Sequence, residues 1–397
     1  MKYLPRRLAV LLAALLPLEL VWAQSIRELT LNDVLNVALQ QAGTQMQEGE
    51  AQGYQSSVWL AALPSVSFSY MDSNKQDGSN EAQVSLNLPI KSGVQRRADK
   101  QLKRLSAAHE LVSKQLEQLY FSGLIREAAW SYRVAEVKRN SADRKLKLLN
   151  KLVEQYQQLL AANAVSEYSL LLIEKELMVV QIEQQGHQQQ LKRWLQQFQI
   201  VTGLGSIPAV ITEPQVNSQD YLLAQHPQLQ LLELAWSHKQ QVLMASSNQA
   251  TPWNVSLVAK NIDSAEFEED QYGIEIEIPL SFINAPSQSH NSEWRLERRN
   301  FTMAVDELRQ ELQHSWDLLA GESVLLQRKN ILLARSGELS ARITRRASEL
   351  EAANELGQEL ILRQMIEAID AKAAIAINQI LIEQNNAMRR QAAGIPL

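Results

Sequence analysis

The stretch QYGIEIEIPLSF, Gln271 to Phe282, alternates isoleucine with glutamate in a chain otherwise rich in Leu, Gln, Glu, Ala and Lys. Successive side chains of a strand point to opposite faces. Tyr272, Ile274, Ile276, Ile278 and Leu280 therefore share one face, and Gly273, Glu275 and Glu277 the other. Three further stretches alternate in the same way. Val66, Phe68 and Tyr70 alternate with Ser65, Ser67 and Ser69; Val84, Leu86, Leu88 and Ile90 with Gln83, Ser85 and Asn87; Trp253, Val255 and Leu257 with Asn254 and Ser256. Each reads as a strand of roughly nine to eleven residues, the length a tilted strand needs to cross a bilayer. The polar segments MDSNKQDGSNEA from Met71 and KNIDSAEFEED from Lys260 join them into two hairpins.

Two hairpins cannot close on themselves, and lipid does not tolerate open sheet edges. Three chains would supply twelve strands and a closed barrel. The apolar face then meets lipid, with Trp253, Phe282, Tyr272 and Tyr70 as interfacial aromatics. Ser67, Asn87, Asn254, Ser256, Glu275 and Glu277 line a water-filled lumen. The alternation also fits two amphipathic hairpins covering a soluble core, with the glutamates merely solvated.

Prolines organise the rest. None lies between Pro89 and Pro208 or between Pro286 and Pro396, leaving two long intervals free to be helical. In the first, Leu146, Leu149, Val153, Tyr156 and Leu160, then Leu170, Ile173, Leu177 and Val180, recur at coiled-coil spacing; in the second, Leu325, Leu332, Leu339, Ile343 and Leu350 do so. Each interval has one weak point, AANAVSEYSLL from Ala161 and AANELGQELIL from Ala352. Asn163 and Asn354 tolerate a left-handed backbone, Ser166 caps a following helix and Gly357 relaxes the turn, so both read as helix reversals.

Asn354 stands 191 positions after Asn163, and Gly394 stands 191 after Gly203. Pro89 and Pro279, and Pro64 and Pro252, are related by nearly the same offset. The chain reads as two homologous halves, 24–210 with a β-hairpin at 64–90 and a helical hairpin at 92–203, and 211–397 with a β-hairpin at 252–282 and a helical hairpin at 288–394. Ahead of them, residues 1–23 place Lys2, Arg6 and Arg7 before an apolar run that exits through Val21-Trp22-Ala23, the pattern of a secretory signal.

The net charge of −5 argues against nucleic acid as a partner, and the absence of cysteine removes disulfides and thiolate metal sites. The six histidines, at 109, 187, 226, 238, 290 and 314, are dispersed without ligand spacing, so neither a metal site nor a cofactor is expected. No catalytic triad or phosphate-binding loop is present, and the chain does not read as an enzyme.

From LTLNDVLNVALQQ at Leu29 to the AAG at Ala392, the chain resembles the TolC-like outer membrane efflux proteins. LNLPIKSGVQRRADKQ, with its Arg96-Arg97 pair, and AQHPQLQLLELAWSHKQQ, with His226-Pro227, resemble the CzcC-type heavy-metal branch. The resemblance implies a mainly α fold with a small β part. It would be a trimeric α-helical barrel continuous with a transmembrane β-barrel, built from four strands per chain and two internal repeats. The segment from Ser92 to about Ala162 would span on the order of 100 Å as one helix. Implied partners are two further copies of the chain, a periplasmic membrane-fusion adaptor, an RND-type inner membrane pump and outer membrane lipid. Implied function is a passive duct from periplasm to exterior for heavy-metal cations, with drug efflux or type I protein secretion as alternatives; a soluble periplasmic coiled-coil adaptor is the alternative of another class. The turns Asn163, Ala164, Val165, Ser166 and Asn354, Glu355, Leu356, Gly357 would form the periplasmic entrance, where Glu167, Glu349, Glu351 and Glu355 make an acidic mouth.

Overall fold

The computed structural model describes residues 29–46, 57–75, 78–216, 223–245, 251–279, 288–352 and 358–397. The described elements run α1 (Leu31–Met46), β1 (Ser65–Met71), β2 (Asn80–Ile90), α2 (Gly93–Ala161), α3 (Glu167–Thr202), α4 (Pro227–Ala245), β3 (Trp253–Asp263), β4 (Glu268–Glu277), α5 (Gln288–Ala352) and α6 (Gln358–Ala392). Helix, two strands, a very long helix and a shorter helix thus occur twice in succession.

Helix α2 opens on a capping box: Ser92 Oγ accepts from the Gln95 N–H at 3.3 Å and Gln95 Oε1 from the Ser92 N–H at 3.0 Å. Its 69 residues extend on the order of 100 Å. The chain then reverses through Asn163, whose φ of 56° is the left-handed turn its side chain tolerates, and Ser166 Oγ caps α3 by accepting from the Ser169 N–H at 3.3 Å. Ala142, Leu149 and Tyr156 of α2 bury against Ile173 and Val180 of α3, the seam expected from the heptad spacing. Side by side the lower helices stand in the order α3, α2, α6, α5. Lys145 of α2 bridges its neighbours, reaching Asp370 of α6 at 2.7 Å and Glu183 of α3 at 3.8 Å.

The second seam differs from expectation. Leu325 and Leu332 stand open, at 64% and 68% exposed, and Leu339 and Ile343 are half-exposed beside Leu360 of α6. Helix α6 instead meets the neighbouring face of α5, which carries Trp316 and Leu326, because adjacent helical residues point about 100° apart; Leu312 packs on Leu229 of α4. Two buried asparagines sit in this seam. Asn378 Nδ2 donates to Leu326 O and Asn385 Nδ2 to Leu319 O, both at 3.1 Å, pairs that fix an antiparallel register. The side chain of Leu350 lies outside the described residues.

Halfway along α2 the two halves are joined. The Arg126 guanidinium, 1% exposed, donates to both Glu213 oxygens at 2.9 and 2.6 Å, to Gln391 Oε1 at 2.5 Å and to Ile395 O at 3.1 Å. Arg390 adds a bond to Glu213 at 2.9 Å. Beside this clasp, Gly203 and Gly394 both adopt left-handed φ values of 71° and 75° at helix ends. A Cβ on Gly394 would stand 2.7 Å from Pro227 Cδ and 2.9 Å from His226 Cδ2, so glycine serves close approach as well as φ.

His226 is buried at the start of α4, where its Nδ1 accepts from the Gln228 N–H at 3.3 Å. Burial pushes its pKa down from 6.5 to about 4. The folded state therefore holds it neutral where the unfolded chain is already protonated. Its contribution is complete above the unfolded pKa of 6.5 and is lost as pH falls toward about 4. The melting temperature is expected to drop over this interval, with up to about 3 kcal/mol lost. His226→Asn, which keeps a cap acceptor and does not titrate, should flatten the profile; an unchanged slope would assign the acid sensitivity elsewhere.

The strands form one antiparallel sheet in the order β1-β2-β3-β4, so β2 pairs with β3 and joins the hairpins. Three strand limits differ from the sequence reading. β1 has only 7 residues. β4 ends at Glu277 and not Phe282: Pro279 has no N–H for the ladder, and residues 280–287 lie outside those described. In the other direction the hairpins extend into their polar tips, with Asn80, Glu81, Lys260 to Asp263 and Glu268 to Asp270 all in strands. A backbone ladder needs no apolar side chains, and these residues pair across it: Lys260 with Glu81 at 2.6 Å, Asn261 with Asp270 at 3.0 Å.

Candidate functional site

The register assembles two chemically opposite faces. Ser65, Asn87, Ser256 and Glu275 lie in one cross-sheet row, Ser67 and Ser85 in the next, and Asn254 opposite Glu277 in a third. All six residues expected to line a lumen, Ser67, Asn87, Asn254, Ser256, Glu275 and Glu277, therefore share one face. They are hydrogen bonded along it. Asn87 Nδ2 donates to Ser67 Oγ at 3.2 Å, Ser256 Oγ to Asn87 Oδ1 at 2.7 Å, and Asn254 Nδ2 to Glu277 Oε2 at 3.3 Å.

The other face carries Val66, Leu86, Leu257 and Ile274 in one row and Phe68, Val84, Ala259 and Tyr272 in the next. Its exposure is inverted. Ser85 and Ser256 are buried, while Ile274 is 70% exposed and Phe68, Tyr272, Ile276 and Val66 are exposed too. A sheet folding in water buries its large apolar residues and presents its serines. Here the apolar surface is open across all four strands, and among the described residues no strand pairs with the outer edge of β1 or β4. Among the described residues no helix is long and apolar enough to cross a membrane.

The helices repeat that openness at their sides. The outermost helices, α3 and α5, carry exposed apolar stripes at heptad spacing: Leu171, Met178 and Ile182 on α3, and Leu318, Leu325, Leu332 and Leu339 on α5. Among the described residues α3 packs chiefly on α2 and α5 chiefly on α6, and the stripes stand exposed.

At the far end of the helices, Asn163, Ala164, Val165 and Ser166 form the turn between α2 and α3, with Val165 packed on the α2/α3 seam. Asn354, Glu355, Leu356 and Gly357 lie outside the described residues, as does Phe282. Of the acidic residues assigned to a mouth, Glu167 is exposed in the first turn of α3, but Glu349 is bound by Arg346 at 2.6 Å and is not free to act alone. The Glu355 carboxylate and the Glu351 side chain are not described.

Sequence reasoning missed Trp59. Its carbonyl accepts from the Lys91 N–H at 2.8 Å, which holds it beside the base of β2, and its ring is 51% exposed. It precedes the first strand outside any alternating pattern, so only the pairing of Leu60 with Ile90 reveals its level. Among the described residues no group of His, Cys, Asp and Glu is arranged to hold a metal ion.

No protein-family model matches the chain, and no curated protein matches it. Solved structures do. VceC, an outer membrane protein of Vibrio cholerae, matches with a TM-score of 0.67 at 14% identity, covering 92% of this chain and 96% of its own. CusC, which forms a transmembrane channel, matches with a TM-score of 0.64 at 14% identity, covering 92% of each chain. The Neisseria gonorrhoeae MtrE outer membrane channel, in its open state, gives 0.61 at 13% identity over 91% of this chain and 85% of that one. Identity this low speaks to architecture alone, and by architecture this chain has the fold of these outer membrane channel proteins.

Proposed function

We propose that this chain is one protomer of a homotrimeric outer membrane efflux duct, a passive exit from the periplasm. The observation that carries the reading is the inverted sheet: four strands with an exposed apolar face, a hydrogen-bonded polar face and, among the described residues, two edges without a partner strand. In water such a sheet is an aggregation hazard; in lipid, closed with copies of itself, every feature is satisfied. Three chains give twelve strands. The exposed stripes of α3 and α5, at opposite sides of the helical row, support a head-to-tail ring in which α5 of one copy meets α3 of the next. The same inverted sheet weighs against a soluble periplasmic adaptor.

In this reading residues 1–23 are a removable signal, and 24–210 and 211–397 are the two structural repeats. The turns at Asn163 to Ser166 and Asn354 to Gly357 form the periplasmic entrance and meet a membrane-fusion adaptor, with an RND-type inner membrane pump supplying the energy. Heavy-metal cations are the proposed cargo, on the resemblance of the segments around Arg96-Arg97 and His226-Pro227 to the CzcC-type branch. Growth of a deletion strain on divalent metals, dyes, detergents and antibiotics tests the cargo: sensitivity confined to drugs would keep the duct and discard the metal.

Glu275 and Glu277 face the lumen in this arrangement, so a trimer presents two rings of carboxylates. The purified protein in planar bilayers is expected to favour cations. Glu275→Gln with Glu277→Gln should lower that preference severalfold while leaving the conductance open; an unchanged reversal potential would remove these residues from the lumen.

A further inference from the structure

The geometry points to a binding site for anionic phospholipid headgroups where the sheet meets the helices, formed by the exposed basic side chains of the first turns of α2. The inference rests on the membrane reading above and adds to it a lipid class and the residues that select it.

Two tryptophans mark a level. Trp253 is the register partner of Ile90, the last residue of β2, and is 39% exposed. Trp59 is hydrogen bonded to Lys91, the next residue, and is exposed as well. Tryptophan settles at the boundary between hydrocarbon and water, and this pair sits where the apolar face of the sheet ends. The basic residues begin immediately below. Arg96 Nε donates to Lys91 O at 3.1 Å, which holds its guanidinium next to the tryptophan level. Arg97 and Lys100 follow within the first turns, and Lys103 and Arg104 continue one turn deeper, all exposed. Arg96 to Lys100 lie within about 10 Å of the helix start, close to the Debye length at physiological salt.

Among the described residues no carboxylate forms an ion pair with Arg96, Arg97 or Lys100. The acid among them, Asp99, is already bound to Lys91. The first turn of α2 carries no acidic residue, so the cations sit against the positive end of the helix dipole, where they are disfavoured unless an anion joins them. Helix α5 repeats the arrangement only in part: its first turn has no acid and Arg295, Arg298 and Arg299 are exposed, but Glu293 and Glu297 are interspersed among them. The chain as a whole is acidic, at −5, so this collar is a local reversal of charge. A free phosphate would satisfy the charge, but only a lipid explains why the charge stands directly under two interfacial tryptophans. Phosphate oxygens of a headgroup bridging Arg96, Arg97 and Lys100 would satisfy all of these features.

The test uses the full-length mature protein reconstituted in phosphatidylcholine vesicles, with a fraction of the lipid replaced by phosphatidylglycerol. Quenching of tryptophan fluorescence by brominated phosphatidylglycerol and by brominated phosphatidylcholine gives the relative affinity for the two headgroups. The native protein should prefer the anionic lipid, and the preference should fall with added salt. Arg96→Gln with Arg97→Gln and Lys100→Gln should reduce the preference about tenfold, and Arg97→Glu with Lys100→Glu should turn it toward the zwitterionic lipid. Arg144→Gln with Lys147→Gln and Lys151→Gln, at the opposite end of α2, should change nothing. Equal quenching by both lipids in the native protein, or an intact preference in the collar variants, would overturn the proposal while leaving the membrane reading in place. Absence of quenching by either lipid would overturn the membrane reading itself.

Discussion

Leu325→Glu combined with Leu332→Glu is expected to yield a protein that folds but does not assemble, migrating in detergent as a single chain where, on the proposed function, the native protein should migrate as a trimer. Both side chains are exposed in the isolated chain, so the substitution removes no intrachain packing. Their spacing of one heptad puts them on one line of α5, between Leu318 and Leu339, and that line is the surface a neighbouring α3 would cover. A carboxylate buried there without a partner costs several kcal/mol. The cost recurs at each of three interfaces around a ring. Gln327→Glu, exposed on α5 and outside the apolar stripe, serves as the control and should leave the trimer intact. Native mass spectrometry in detergent reads the result directly. Trimers surviving the double substitution would mean that the stripe is not the closing surface.

The second large effect is expected at the clasp between the halves. Glu213→Ala leaves Arg126 buried without its bidentate partner and releases Arg390 as well. Removing one member of a buried ion pair typically costs about 3–5 kcal/mol, because the remaining charge keeps its desolvation penalty without the attraction that offset it. The loss should be concentrated where the chain crosses from the first half to the second. Asn386 Nδ2 holds Glu213 O and Pro214 O at 3.1 Å, and Arg133 holds Pro208 O and Ala209 O at 2.8 Å, so the backbone on either side remains tethered. The variant should therefore melt at a lower temperature without losing its helical content at low temperature. Replacing both partners, Glu213→Leu with Arg126→Leu, should recover much of the loss, since no unpaired charge then remains. Equal destabilisation by the single and the double variant would show that shape, and not charge pairing, is what this site supplies.

What the sequence determined by itself was local and periodic. The long proline-free runs marked where the long helices α2 and α5 would lie, and Asn163 with Ser166 marked the reversal after α2. Alternation put Glu275, Glu277, Asn87 and Ser256 on one side of their strands before any pairing was known. Such patterns are legible because each is set by bond geometry within a few residues. The same rule explains the errors at the strand ends: polar hairpin tips look like loops until a partner strand supplies their hydrogen bonds.

What only the tertiary structure decided was which surfaces meet. The Leu325 heptad announced that α5 needs a partner but could not say that α6 takes the adjacent face, with Asn378 and Asn385 in its seam, and leaves the leucines open. Nothing in the local sequence marks Glu213, on which Arg126 and Arg390 converge from far away in the chain. Trp59 came level with the end of β2 only through the bridge from Leu60 to Ile90. A side chain's partner across the fold depends on loop closure and on competition among many similar surfaces, and neither quantity is written in the spacing of neighbouring residues.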